Sequence, residues 1–82
     1  MSKDAELVKL VRQYLASKTS FDDLADWVQD QEPYWGTLPS GSHVRNLAGT
    51  VSLMAYEVWD GARPEPDARE VIRQEAASRA NA

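Results

Sequence analysis

Four aspartates crowd one short stretch of this chain: Asp22, Asp23, Asp26 and Asp30. Carboxylates at this density have three chemical uses. They hold a divalent cation, they work as an acid–base pair, or they face a basic partner. On a helix the four fill one arc of about 100°, opposite Phe21, Leu24, Ala25 and Val28. Asp26 is then an i,i+4 neighbour of both Asp22 and Asp30, and each like-charged pair costs a few tenths of a kcal/mol. The positive end of the helix macrodipole offsets part of that cost for Asp22 and Asp23, and none of it for Asp30. The set lacks the loop glycine and ligand spacing of an EF-hand, so no metal is expected. Two readings remain. The arc is a solvated polar face, or it is a docking face whose field speeds and selects association with a basic protein. Glu32 extends the same acidic run.

Other reactive groups are sparse. His43 is the only histidine and there is no cysteine, which leaves no thiolate metal site and no disulfide framework. A lone histidine working as a general base needs an orienting partner that spacing does not supply, so His43 is expected to be solvated or to cap a helix. The serines show no nucleophile elbow and no S-x-x-K pattern. Neither a Walker loop nor G-x-G-x-x-G occurs. No catalytic constellation is visible, so neither an enzyme nor a cofactor is expected.

The aromatic residues carry a second signal. Three tryptophans occur in 82 residues. Trp27 and Trp59 read as core by their helical register. Trp35 lies in the polar segment Tyr34, Trp35, Gly36, directly after the acidic helix. It either pins its loop to the core or joins Tyr34 as an aromatic anchor at an interface, where such residues are enriched. Gly49, Leu53 and Tyr56 lie on the wrong side of their helix for a single core. Either that helix is central and touches neighbours on both sides, or the face meets another molecule such as a second copy.

The elements that position these groups are helices. Leu7, Val8, Leu10, Val11, Tyr14 and Leu15 share one face of a helix over about Asp4–Ala16. Ser17, Lys18 and Thr19 break it. Ser20 followed by Asp23 is a capping signal for a second helix, which ends near Gln31 because Pro33 disfavours a helical Glu32. Residues 32–42, with two Pro and two Gly, form a loop with at most a short 3₁₀ turn. A third helix spans about His43–Asp60, capped by Ser42 or Ser40 and stopped by Gly61. Its stripe is Val44, Leu47, Ala48, Val51, Met54, Ala55, Val58 and Trp59. After a stiff connector, Arg63 to Pro66, a short fourth helix starts near Pro66 or Asp67, with Asp67 and Glu70 as its capping box. Ala68, Val71, Ile72 and Ala76 are its apolar positions.

No strand-like alternation appears. The expected class is all-α: a compact antiparallel bundle of three long helices plus a short C-terminal fourth, with the third helix central and the first two crossing it as a hairpin. Residues 1–77 form a single domain and residues 78–82 a frayed tail. A composition of 43% hydrophobic and 27% charged residues excludes a fully disordered chain. Net charge is −4, and the acid is concentrated: residues 19–44 hold five acids and no Lys or Arg. Without a basic surface, nucleic acid is not an expected partner. No signal core and no run near the roughly 20 apolar residues of a membrane span occur. A cytoplasmic protein that does not contact membrane is expected.

The run from Leu10 to Val28 joins the end of an apolar helix, a link through Lys18, Thr19 and Ser20, and an aromatic-plus-acidic second helix. It resembles the opening helical hairpin of colicin-D-immunity-like small bundle proteins, and of short uncharacterised helical proteins of actinobacteria and their phages. That resemblance implies a non-enzymatic binder. In the immunity proteins an acidic surface covers the basic active-site region of a tRNA-cleaving toxin, and that surface corresponds by general character to Asp22, Asp23, Asp26 and Asp30. Neither the segment Tyr34–Gly36 nor the chain after Arg63 takes part in the likeness. The resulting expectation is a protein-binding module, an immunity- or antitoxin-like or phage accessory inhibitor, that masks a basic surface through Asp22, Asp23, Asp26, Asp30, Glu32, Tyr34 and Trp35. The alternative is a homodimer through Gly49, Leu53 and Tyr56.

Overall fold

The structure is a computed structural model that describes residues 2–78. Five helices follow in order: α1 (Lys3–Leu15), α2 (Phe21–Asp30), α3 (Glu32–Trp35), α4 (His43–Trp59) and α5 (Glu65–Ser78). The described residues contain no strand, so the class is all-α.

Serines start three of the helices. The Oγ atoms of Ser2, Ser20 and Ser42 accept hydrogen bonds from the N–H groups of Ala5, Asp23 and Arg45, at 3.2, 3.1 and 3.3 Å. Each removes one of the orphan donors of a first helical turn. Two helices end in the same way. At Gly61, with φ of 78°, the Gly61 N–H bonds to Val58 and the Ala62 N–H to Glu57, a Schellman closure. At Ser17, with φ of 62°, the Ser17 N–H bonds to Tyr14 and the Lys18 N–H to Gln13. The second closure puts a residue with a Cβ where glycine is favoured.

Two elements differ from the sequence reading. Residues 32–35 form a one-turn helix where a loop is expected. Pro33 falls in its first turn, where a missing N–H costs nothing. The C-terminal helix is not short: α5 has 14 residues, against 13 in α1 and 10 in α2. Pro64 is the reason. Its carbonyl accepts from the N–H groups of Asp67 and Ala68 at 3.1 and 3.3 Å, so the helix opens at Glu65, ahead of the expected Asp67 cap. It also continues to Ser78, past the apolar stripe. The remainder of the expected tail lies outside the described residues.

α4 is the hub and packs against α1, α2, α3 and α5. Its Leu47, Ala48, Val51, Met54 and Ala55 are buried. α1 adds Leu7, Val11 and Tyr14, α2 adds Phe21, Leu24, Ala25 and Val28, and α5 adds Ala68 and Ile72. α5 reaches both α1 and α4, so this core cannot close without it. The radius of gyration is 11.8 Å, matching the roughly 12 Å expected for a folded chain of this length.

Candidate functional site

The α2 helix presents its carboxylates outward. Asp22, Asp23, Asp26 and Asp30 are all exposed, while Leu24, Ala25 and Val28 on the opposite arc are buried. The helix has no basic residue in its last turn, so the negative end of its dipole is left to Asp30. None of the ion pairs among the described residues includes these aspartates. Those pairs are Glu57 with Arg63, Glu65 with Arg69 and Glu70 with Arg73. Glu32, the first residue of α3, is exposed as well. No group of three or more His, Asp or Glu side chains placed to hold a metal occurs among the described residues.

Of the two loop aromatics, Trp35 is buried and Tyr34 is partly exposed. Trp35 is only 5% exposed, and its Nε1 donates to the Val28 carbonyl at 2.8 Å. That carbonyl lies in the last turn of α2, where helical partners run out. Trp35 therefore braces α3 under α2, with Trp27 edge-on to it at 5.7 Å. Tyr34 is half-buried, edge-on to Trp35 at 5.2 Å, and its hydroxyl donates to Asp4 in the first turn of α1. The Lys3 ammonium stands 5.3 Å from the Tyr34 ring centre. The hydrogen bond to Asp4 raises the Tyr34 pKa, with desolvation adding to it. Both residues are spent on tying the α2–α4 connection to the bundle.

Trp27 packs against the core as expected, whereas Trp59 departs from a core assignment. Trp27 is half-buried and Trp59 is 44% exposed. The inner arc of α4 is already filled up to Val58. One further residue turns the side chain by about 100°, to the far edge of that arc and at the last position of the helix. Trp59 instead donates its Nε1 to the Asp22 carboxylate at 3.0 Å. This bond brings the end of α4 against the start of α2. By register Trp59 belongs to the α4 stripe, so its outward turn has no signal in the sequence. The partner, 37 residues away, has no signal in the sequence.

Gly49, Leu53 and Tyr56 remain uncovered. Leu53 is 53% and Tyr56 57% exposed, and Gly49 is exposed beside them. Although α4 is central, its neighbours leave this arc open.

On the α1–α5 side the polar groups are tied down. The Tyr14 hydroxyl donates to Glu65. The Arg69 guanidinium stacks over the Tyr14 ring, 4.5 Å from its centre, and donates to the carbonyls of Tyr14 and Leu15 at 3.2 Å. Burial, then the Glu65 hydrogen bond, raises the Tyr14 pKa well above its ordinary value. His43 opens α4 behind the Ser42 cap and lines an open groove of about 440 Å³ with Arg12, Val8 and Leu47. No described helix is long and apolar enough to cross a membrane.

Comparison with protein-family models, with curated proteins and with solved structures finds no match to this chain.

Proposed function

We propose that this chain is a non-enzymatic protein-binding module whose acidic α2 face meets a basic surface on its partner. The observation that carries this is a contrast in pairing. Glu57, Glu65 and Glu70 each have an arginine, whereas the α2 aspartates stand exposed without one. Self-repulsion along Asp22, Asp26 and Asp30 costs stability, and a basic partner relieves it on binding. The mechanism is steric and electrostatic masking. An immunity- or antitoxin-like inhibitor, as the resemblance implies, is one form of it, and a phage accessory protein is another.

The test is capture of binding proteins at about 50 mM and about 500 mM salt, either side of strong screening. The native chain is run in parallel with a variant carrying Asp26→Lys and Asp30→Lys. A protein held by the native chain at low salt, and lost both at high salt and with the variant, supports the proposal. Equal retention by the two chains overturns it.

The competing reading is a homodimer through Gly49, Leu53 and Tyr56, favoured by the exposure of Leu53 and Tyr56. A solution mass of two chains, reverting to one in Leu53→Lys with helicity intact, selects it.

A further inference from the structure

Leu53, Tyr56 and Trp59 are the exposed large hydrophobic side chains among the described residues, and they are not scattered. They follow one another at i,i+3 steps, so they are neighbours along a single face of α4. Singly exposed apolar groups need no explanation, but a contiguous strip marks an interaction surface. Gly49 continues it at i−4 from Leu53. The spacing Gly49, Leu53, Tyr56 is that of a helix–helix seam.

Gly49 gives an independent reason to look outside the chain. A glycine in mid-helix costs roughly 0.5–1 kcal/mol relative to alanine. Inside this molecule nothing requires it, since a Cβ at position 49 meets no atom within 4 Å. A missing side chain there serves the close approach of another backbone.

The rim of the strip is acidic. Asp22 is fastened to its edge by the bond from Trp59. Asp60 caps the end of α4, whose last turn has no basic residue, so the negative end of the dipole is uncompensated. Of the neighbouring cations, Arg63 is paired with Glu57 at 2.5 Å, while Arg45, at the far end of the strip near Gly49, donates to the Leu38 carbonyl at 3.0 Å. A second copy seated with its α4 parallel would set these acids against the same acids across a two-fold axis. A partner with basic side chains flanking an apolar face would not.

We propose that the Gly49–Leu53–Tyr56–Trp59 strip docks a basic amphipathic helix of another protein. Its apolar side chains lie on the strip, its backbone passes closest at Gly49, and its lysines or arginines reach Asp22 and Asp60. This rests on the reading of the chain as a binder of basic partners and adds the apolar contact that Trp35 does not supply. Trp59 is the anchor, an aromatic side chain at the end of the strip beside Asp22 and Asp60.

The test uses the full chain, ¹⁵N-labelled, and three synthetic peptides. One is a lysine/leucine peptide with leucines at helical spacing, one a glutamate/leucine peptide of the same pattern, and one an oligolysine. The expected result is that the lysine/leucine peptide binds and shifts the amides of residues 49–60 together with Asp22. The paired substitution Leu53→Ser and Tyr56→Ser should weaken that binding about tenfold or more. Both residues are exposed, so circular dichroism should show an unchanged fold. Oligolysine should bind at least about tenfold more weakly, and the glutamate/leucine peptide not at all.

Other results overturn the proposal in different ways. Oligolysine and lysine/leucine peptides binding alike, both lost with Asp26→Lys and Asp30→Lys and indifferent to Leu53→Ser, would leave the acidic face as the site and remove the strip. Equal binding of the glutamate/leucine peptide would remove the role of charge from both. Failure of the lysine/leucine peptide to bind, or a free chain already dimeric through the strip, rejects a basic helix as the occupant.

Discussion

Trp35 and Trp59 each donate an indole N–H, to the Val28 carbonyl at 2.8 Å and to the Asp22 carboxylate at 3.0 Å. Yet one is 5% and the other 44% exposed. The acceptors explain part of the difference. A backbone carbonyl at a helix end needs a donor, and supplying one inside the core removes a desolvation cost. A carboxylate has more lone pairs than one indole can satisfy, and burying it would be costly, so the pair at Asp22 stays in water. Register explains the rest. Trp35 belongs to a one-turn helix that no longer repeat constrains, and the core takes it in. Trp59 belongs to a helix whose inner arc is already full. One corner of the molecule is thus closed by its tryptophan, and the other is left open with its tryptophan at the edge.

Stability measurements sharpen this contrast most directly. Trp35→Ala should cost about 3–5 kcal/mol, as a large side chain lost from a core does, and it also removes the shorter of the two hydrogen bonds to the Val28 carbonyl, leaving the one from the Gln31 N–H. Trp59→Ala should cost under about 1 kcal/mol. Denaturant midpoints at constant slope give both numbers, and similar losses at the two sites would break the comparison.

The closed side of the molecule has a second support at Tyr14. Tyr14→Phe should cost about 1 kcal/mol through the lost bond to Glu65. It should also change the alkaline limb of stability. The folded Tyr14 pKa lies above the ordinary 10.0 because burial and Glu65 disfavour the phenolate. Its contribution is therefore complete below about pH 10 and declines as pH rises beyond that, since the unfolded chain ionises first. Tyr34 contributes in the same direction through Asp4. Denaturation at stepped pH from about 8 to about 11 should show a flatter decline in Tyr14→Phe than in the native chain.

On the open side the signs reverse. Gly49→Ala should stabilise the chain by about 0.5–1 kcal/mol, read as a higher melting temperature, because the added methyl meets nothing. Asp30→Asn should stabilise by a few tenths of a kcal/mol, by removing repulsion from Asp26 and from the helix end. A loss at either position would mean that the open side serves the fold after all.

Local rules made much of this legible. Ser20, Ser42 and Gly61 mark helix ends because caps and left-handed closures depend on a few neighbouring atoms. The apolar stripes of α1, α2 and α4 mark the core faces because periodicity is a property of the segment alone. The outward arc of aspartates follows from the same period. The misreadings came where one residue chose between local and distant partners. Asp67 and Glu70 look like a cap, but the carbonyl of Pro64 starts α5 earlier. Trp59 follows Val58 in sequence yet points to Asp22. Tyr34 stands in a polar segment yet reaches Asp4, while Trp35 pins its loop to the core, one of the two readings its sequence allowed.

The amino-acid pattern by itself determined the all-α class, the position of the four main helices, the inward faces and the acidic outward face of α2. Each depends on interactions within about four residues along the chain. Only the tertiary structure decided that α5 completes the core, that Trp35 and Tyr34 serve the fold, and that Trp59 joins the α2 acids to the open strip of α4. Those outcomes depend on which faces the packing of five helices covers and which it leaves open. Area is removed from water by neighbours distant in sequence, and a stripe of side chains does not name the neighbour that will cover it.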